Sequence, residues 1–508
     1  MDEIYQAYKM LRRTVSQLSF EDSFAATWAH SQSKQIVGFK FPGDVERHSR
    51  MRNDQHSQPY HWQLETIIQE VLLHGGEVSR GGNSLKNWND LAASINALRH
   101  LEDVIHASTL SSDNIMREVV RIAHQQFSWQ RRITKPFIGR YFQIFKDAEI
   151  DRICAKATGL SVPKIYVLGT CLWGQYASKA FVRLPWTSTI SQISQHDVDR
   201  FFELYSSDVY AFRQRLKSSR PRIGETFSYD QRYIRTKPLL SFRKAGISWL
   251  ACPLPALLAW RFTSGLYYDL IGDSDFFNAF GASFQAHTGQ VLARGTCGSG
   301  LQHIPEEKFG TRNRSKDTVD WILLDENAAA FIECKSKRLT LEAKTNLTDT
   351  NAFGRDVSTL ASYVVQLYRT IEEYKQSRYP SLPYDATRKI YPVIVTLEDW
   401  LPIGTDFWSD LDGQVRSQLG RCGLPLSILE QMPFTLSSLE ELERASCMIS
   451  KVGLRGFFEE YHATKYSGWM LDRFMADAYP AEYRAKRDLF PETFDEIQGP
   501  FLSDAQAC

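Results

Sequence analysis

The stretch VDWILLDENAAAFIECKSKR, residues 319–338, predicts the fold of the region around it. Two short apolar runs flank the polar residues 325–327, and a few turn-forming residues between apolar runs indicate a β-hairpin. We expect strands over 319–325 and 329–337. The strands of a hairpin run antiparallel, so the start of the first strand should lie beside the end of the second.

Three charged side chains lie at that end of the predicted hairpin. Asp320 stands near the start of the first strand, whereas Glu333 and Lys335 stand near the end of the second. Because side chains alternate between the two faces of a strand, Glu333 and Lys335 share one face. The antiparallel pairing therefore predicts that all three charged groups meet at one place.

Two carboxylates in an apolar setting are costly unless a cation or another partner compensates them. Mg²⁺ prefers oxygen ligands and is commonly held by one or two carboxylates together with substrate phosphate. A lysine beside such a site can orient or deprotonate an attacking water and offset developing charge. The alternative is a structural salt bridge between Lys335 and either Glu333 or Asp320, because Glu-x-Lys alone is a common pattern.

The surroundings of the hairpin resemble the core of the PD-(D/E)XK nuclease superfamily, which has the restriction-endonuclease-like fold. That family has, in order, a helix, a strand with Asp, a hairpin, a strand with Glu-x-Lys, a helix and a strand. We expect the first helix over 275–292, an amphipathic helix with apolar residues at helical spacing over 356–376, and a buried strand over 389–400. The resemblance covers about residues 270–400.

This resemblance implies a role for each residue that matches the family pattern. Asp320, Glu333 and the backbone carbonyl of Cys334 would be ligands of Mg²⁺ or Mn²⁺. Lys335 would be the catalytic lysine, and Gln366 would be a further catalytic residue on the helix after the lysine strand. The alternative for Gln366 is an ordinary exposed helical residue.

The first helix departs from the family pattern. Many members carry a metal-binding Glu there, in a Phe-Glu pair, where this chain has Phe284 and Gln285. An amide can donate or accept a hydrogen bond but is a poor metal ligand. Whether Gln285 replaces a metal-site Glu stays open at this point.

Composition places the chain among ordinary globular proteins rather than membrane or uniformly basic ones. It has 508 residues, 43% hydrophobic and 23% charged, with a formal net charge of +1. No apolar run approaches the length needed to span a membrane. The eight cysteines show no CxxC pair and no zinc spacing, which indicates free thiols in a reducing cytoplasm.

Residues 211–244 are strongly basic, with aromatic residues interleaved. Cations contact phosphates, and aromatic rings stack on unpaired bases. We expect nucleic-acid contacts from residues of this segment and from two basic residues after the hairpin: Arg213, Arg215, Arg220, Arg222, Arg232, Arg235, Lys337 and Arg338. The alternative is a solvated connector, since a run of charge is not specific.

A second nucleic-acid hypothesis concerns residues 149–169. Ala155, Gly159 and Ile165 have the small, Gly, apolar spacing of a helix-turn-helix. The second helix offers only Lys164 as a basic residue, so a packed helical hairpin is the simpler interpretation.

The whole chain is predicted to be α/β (α+β), with a restriction-endonuclease-like core whose central mixed sheet is flanked by helices. We expect a mostly helical domain over 1–205, a basic and aromatic connecting region over 206–268, the nuclease core over 269–402 and a helical C-terminal extension over 403–508. In the extension, Ser437 or Ser438 should cap a helix, with Glu440 or Glu441 completing a capping box.

Three functions are compatible with these patterns. The first is a metal-dependent nuclease acting on DNA or structured RNA, by analogy a bacterial defence effector, anti-phage or restriction-like, and a possible homo-oligomer. The second is a nucleic-acid-binding protein with the helix-turn-helix-like hairpin and a degenerate, inactive nuclease core. The third is a structural protein in which Asp320, Glu333 and Lys335 form a buried ion network.

Overall fold

The computed structural model describes residues 2–47, 58–110, 115–130, 132–219, 223–225, 227, 232–311, 314–339, 350–400, 404–485 and 487–502. With 58% helix and 12% strand, the chain has the predicted mixed α/β character. It divides into two compact units, the first being Met1–Ser112, Gln125–Phe276 and Glu492–Cys508, and the second Asp113–His124 and Phe277–Pro491.

Helices dominate the first unit, as expected for residues 1–205. They are α1 (Asp2–Val15), α2 (Phe20–Gln35), α3 (His61–His74), α4 (Trp88–Thr109), α6 (Lys135–Phe145), α7 (Ala148–Thr158), α8 (Val162–Gln175), α9 (Gln195–Tyr205), α10 (Val209–Ser219), α11 (Pro255–Phe262), α12 (Tyr267–Leu270) and α20 (Thr493–Leu502). Helix α5 (Ile115–Gln130) has residues in both units. The apolar faces of α1, α3 and α4 pack together and bury Leu11, Ile68 and Leu98, which is what helical spacing of apolar residues predicts.

A four-stranded sheet in the first unit was not predicted. Its strands are β1 (Phe181–Arg183), β2 (Ser206–Asp208), β3 (Leu239–Lys244) and β4 (Ile247–Ala251), in the order β1-β4-β3-β2. Ala245 and Gly246 have positive φ angles of 48° and 79°, which suits the two-residue hairpin turn between β3 and β4. The region 206–268, expected as a connector, therefore contributes three strands to a folded sheet.

The second unit contains the predicted hairpin within a larger sheet. Its strands are β5 (Gln302–Pro305), β6 (Lys308–Thr311), β7 (Arg314–Asp317), β8 (Trp321–Leu324), β9 (Ala328–Lys335), β10 (Lys389–Thr396) and β11 (Thr435–Ser438). The main sheet has the order β11-β10-β9-β8-β5, and β6 pairs with β7 separately. Strands β5, β8 and β9 are antiparallel neighbours, whereas β9, β10 and β11 are parallel, so the sheet is mixed as expected.

The helices of the second unit include those expected on either side of the hairpin. They are α13 (Phe276–Gly295), α14 (Thr350–Lys375), α15 (Gly404–Arg421), α16 (Ile428–Gln431), α17 (Leu439–Tyr461), α18 (Leu471–Ala478) and α19 (Pro480–Ala485). Helix α14 joins the parallel strands β9 and β10, and it packs on both. Phe331 of β9 and Ile394 of β10 share a buried core with Ile371 of α14.

The hairpin β8–β9 is confirmed, and its register pairs Trp321 with Ile332 and Leu324 with Ala329. The carboxylate of Asp325 closes the turn, because its Oδ1 accepts hydrogen bonds from the amides of Asn327 and Ala328, each at 2.7 Å. The strands are shorter than predicted, since β8 begins one residue after Asp320.

The segment after residue 402 differs in part from a helical extension, because it also supplies β11 to the main sheet. The predicted cap is confirmed at one of the two serines. The hydroxyl of Ser438 accepts from the amide of Glu441 at the start of α17, and the Glu441 carboxylate accepts from the Ser438 amide.

Candidate active site at the end of the hairpin

Glu333, Lys335 and Gln366 converge on one face of the main sheet. Lys335 Nζ donates to Glu333 Oε1 at 2.6 Å, and Gln366 Nε2 donates to the same oxygen at 3.3 Å. Gln366 Oε1 in turn accepts from Lys335 Nζ at 3.4 Å. Helix α14 packs on β9, and this packing brings Gln366 over the strand end. The ammonium group also lies 4.8 Å above the ring of Tyr363, a neighbour that the sequence did not single out.

Asp320 joins the same strand end from the segment before β8. Its Oδ2 accepts a hydrogen bond from the backbone amide of Cys334 at 2.5 Å. The carboxylate thus supplies the acceptor that a backbone carbonyl would supply if β8 continued. Cys334, whose carbonyl was expected as a further ligand, lies between Glu333 and Lys335 on β9.

Burial disfavours the ionised forms of Asp320 and Glu333. Desolvation, aided by the charge of Glu333, raises the pKa of Asp320 to about 7, although the Cys334 amide and Lys335 act in the opposite direction. Desolvation also raises the pKa of Glu333, and the neighbouring Lys335 only partly offsets it. The side chains of Glu333 and Lys335 are 7% and 18% exposed. An added positive charge at this position would favour the ionised form of both acids.

Gln285 of α13 contacts Trp321 and Glu306, the residues that follow Asp320 and β5. The backbone carbonyl of Gln285 accepts from the indole Nε1 of Trp321 at 2.9 Å, and its side-chain Nε2 donates to Glu306 Oε2 at 3.1 Å. Glu306 was missed in the sequence analysis. Its negative charge contributes to raising the pKa of both Asp320 and Glu333. Strand β5, which it follows, has only four residues and ends in Pro305, so alternation gave no signal of its pairing with β8.

The donor atoms fit a hard divalent cation by their chemistry. The buried carboxylate of Glu333, the half-buried carboxylate of Asp320 and a backbone carbonyl are oxygen ligands of the kind that Mg²⁺ takes. Within the described residues, no three His, Cys, Asp or Glu side chains are grouped closely enough to hold a metal ion as they stand. Asp320 accepts from the Cys334 amide, and Glu333 accepts from the Lys335 ammonium group.

Three of the four described basic residues that were expected to contact nucleic acid in the first unit bond within the protein. Arg213 donates to the carbonyls of Leu72 and Gly75. Arg232 is buried and donates to the Phe227 carbonyl at 3.1 Å. These partners favour structural roles for both arginines.

The other four basic residues of this segment are placed differently from one another. Arg235 forms a bidentate ion pair with Glu65, whose side chain is only 2% exposed, which again favours a structural role. Arg215 is exposed on α10 and is available to a polyanion. Arg220 and Arg222 lie outside the described residues.

The two basic residues after β9 are also ion-paired. Lys337 Nζ lies 3.5 Å from Asp356 Oδ1, and Arg338 Nη1 lies 3.2 Å from Glu398 Oε1. The Arg338 side chain is 5% exposed, so as placed it is not presented to a phosphate. Lys337 is partly exposed and lies two residues beyond Lys335, and it is the better candidate for a contact near the site.

The helix-turn-helix-like segment forms a packed helical hairpin. Helix α7 ends at Thr158 and is capped by Gly159, whose φ of 77° is the left-handed conformation that Gly adopts readily. In α8, residues 165–168 are buried, and Lys164 Nζ pairs with Asp197 Oδ1 at 2.9 Å. Residues 165–168 are therefore covered within the protein, and Lys164 is partly exposed but ion-paired.

No protein-family model, curated protein or solved structure matches this chain. In the part of the chain that the structure describes, none of the helices combines the length and apolar character needed to cross a membrane. The case for a function therefore rests on the geometry at the end of the hairpin.

Proposed function

We propose that the chain is a divalent-metal-dependent nuclease that hydrolyses phosphodiester bonds of DNA or structured RNA. The observation that carries the proposal is the convergence of Asp320, Glu333, Lys335 and Gln366 from three separate segments at one end of a mixed sheet. A simple surface salt bridge needs only two of these groups. We also propose that the protein acts in the cytoplasm and that it serves bacterial defence as an anti-phage or restriction-like enzyme.

The order of the elements supports a restriction-endonuclease-like core. Helix α13, strands β8 and β9, helix α14 and strand β10 follow one another in the order of the nuclease pattern, with Asp320 directly before β8 and Glu333 on β9. The parallel pairing of β9 with β10 across α14 gives the sheet the mixed character that this core has.

Each side chain has a definite part in this mechanism. Asp320, Glu333 and the Cys334 carbonyl would hold Mg²⁺ or Mn²⁺, and a bound cation of this type supplies Lewis-acid activation of the phosphoryl group and of water. Lys335 would orient the attacking water, and its charge would offset the negative charge that develops on the phosphate. Gln366 would hold the Lys335 ammonium group in place through its side-chain oxygen.

A structural ion network is an alternative, and one observation favours it. The protein itself supplies N–H partners to both acids, namely the Cys334 amide to Asp320 and the Lys335 ammonium group to Glu333. Against it, burial raises the pKa of both acids, so the arrangement is costly to the folded state. Apolar residues of similar volume would stabilise a purely structural strand end at least as well. The other alternative, a nucleic-acid-binding protein with an inactive core, rests on Gln285 in place of a Glu.

The proposal is tested by incubating the purified protein with plasmid DNA, single-stranded DNA and tRNA, in Mg²⁺, in Mn²⁺ or in EDTA. We expect cleavage of at least one substrate with a divalent cation, none in EDTA and none by Asp320→Asn. Binding without cleavage by wild type would favour the inactive core, and neither binding nor cleavage would favour the ion network. Cleavage that survives EDTA, or equal cleavage by Asp320→Asn, would place the activity elsewhere.

A further inference from the structure

We infer that Glu306 is a third carboxylate of this cation site and that the side-chain amide of Gln285 orients it. The inference rests on the proposed metal-dependent function and adds a ligand to it. Neither the Asp and Glu-x-Lys pattern nor the hairpin around it points to Glu306, which follows β5 and precedes β6.

The sheet register places Glu306 beside Asp320. Strands β5 and β8 are antiparallel, with Pro305 opposite Trp321, and the next backbone bond runs from the Glu306 amide to the Asp320 carbonyl at 2.9 Å. On the other side of β8, Trp321 pairs with Ile332 of β9, and the neighbouring position on β9 is Glu333. Glu306, Asp320 and Glu333 therefore occupy one cross-strand row.

Neighbouring residues in such a cross-strand row lie close together. Adjacent strands lie about 4.8 Å apart, and side chains at facing positions of a row are in reach of one another. Asp320 is in the middle, with one Glu on either side. A cation held by Asp320 is thus within the range of both glutamates after rotation of their side chains, although the three carboxylates do not form a closed ligand group as they stand among the described residues.

Gln285 explains how the exposed Glu306 is held toward this row. Its Nε2 donates to Glu306 Oε2 at 3.1 Å. The backbone of Gln285 is itself fixed, since its carbonyl accepts from Trp321 Nε1 at 2.9 Å, and Trp321 directly follows Asp320. An amide on α13 and a carboxylate after β5 together supply the negative charge that a Glu on α13 would supply alone.

Charge balance is consistent with the third acid. Three carboxylates carry three negative charges, and Lys335 together with one divalent cation carries three positive charges. A largely buried site is less costly when its charges compensate one another. Without Glu306, the cation-loaded site would have an excess positive charge.

The test is the affinity of the metal-free protein for Mn²⁺, measured by isothermal titration calorimetry for wild type, Glu306→Gln, Glu307→Gln and Asp320→Asn. Glu307 is a matched control, because it is the next residue and its carboxylate accepts instead from the amide and hydroxyl of Ser381 at 3.0 and 2.6 Å. We expect Glu306→Gln to weaken Mn²⁺ binding about tenfold or more, as loss of a ligand or its supporting group does, and Glu307→Gln to bind like wild type. Gln285→Ala should weaken binding less than Glu306→Gln.

The outcomes separate this inference from the proposed function. If Asp320→Asn loses Mn²⁺ while Glu306→Gln binds like Glu307→Gln, Glu306 is not a ligand and the nuclease proposal stands. If wild type itself does not bind Mn²⁺, both fall. Because Glu306 is exposed, its substitution should leave the melting temperature of the metal-free protein equal to that of wild type, which distinguishes lost metal binding from unfolding.

Discussion

The carboxylate of Asp320 accepts a 2.5 Å hydrogen bond from the backbone amide of Cys334, across the open end of the hairpin. This bond fixes Asp320 next to Glu333 in spite of the repulsion between two acids. The positive groups nearby compensate them only in part, because burial still raises the pKa of both carboxylates.

The first prediction concerns stability as a function of pH. The pKa of Asp320 is raised from 3.8 to about 7, so between these values the folded protein keeps a proton that the unfolded chain loses. The free energy of unfolding should therefore fall as the pH rises from about 4 to about 7. Asp320→Asn removes this titration and should make the decline shallower. Urea denaturation in EDTA at several pH values measures this decline, and an identical slope in both proteins would show that Asp320 is not protonated in the folded protein.

A second prediction compares Arg235, which is ion-paired within the protein, with Arg215, which is exposed. Arg235→Ala leaves the buried carboxylate of Glu65 without its bidentate partner and should destabilise the protein by about 3 kcal/mol. Arg215→Ala, on an exposed part of α10, should change the free energy of unfolding by less than about 0.5 kcal/mol.

Reversing the charge of Arg215 tests whether this segment contacts a polyanion. Arg215→Glu should weaken binding and reduce its dependence on salt, because one phosphate contact is lost. If Arg215→Glu binds nucleic acid with the affinity and salt dependence of wild type, Arg215 of α10 has no role in binding. Equal stability of Arg235→Ala and Arg215→Ala would contradict the structural role of Arg235.

A third prediction tests the packing that positions Asp320. A Cβ added at Gly289 of α13 would lie 2.0 Å from Cζ2 of Trp321, the residue after Asp320. Gly289→Ala should therefore destabilise the protein by about 1–3 kcal/mol, as overpacking does. Gly281→Ala is the matched control on the same helix, where an added Cβ meets nothing within 4 Å, and it should be neutral or stabilising. Thermal unfolding should show shifts in melting temperature that have opposite signs, or clearly different sizes, in the two variants.

The sequence predicted the parts of the site that follow from local periodicity. Alternation along β9 and the turn at Asp325 were sufficient to bring Asp320 to Glu333 and Lys335, and helical spacing placed Gln366 on α14. Glu306 could not be found in this way. Its position depends on the pairing of a four-residue strand with β8, which is a long-range contact that carries no periodic signal.

The sheet of the first unit was missed for a related reason. Strand β3 ends in Arg243 and Lys244, both exposed, so the run of charge was interpreted as part of a connector rather than as a strand. The partners of Arg213 and Arg235 lie on α3 or directly after it, far away in sequence. Composition reveals that a segment is basic, but only tertiary contacts decide which of its cations are already paired.

The measurement that tests the central claim most directly is the rate of Mg²⁺-dependent cleavage by Lys335→Ala. Lys389→Ala is the control, since Lys389 is exposed and pairs with Ala328 at the opposite end of β9. If Lys335 serves the chemical step, its loss should reduce the rate about 100-fold or more while the melting temperature in Mg²⁺ stays near that of wild type, and Lys389→Ala should cleave at the wild-type rate. A Lys335→Ala protein that cleaves as fast as wild type, or one that is strongly destabilised beside a wild type that cleaves no substrate, would contradict the account and leave a structural ion pair at the end of the hairpin.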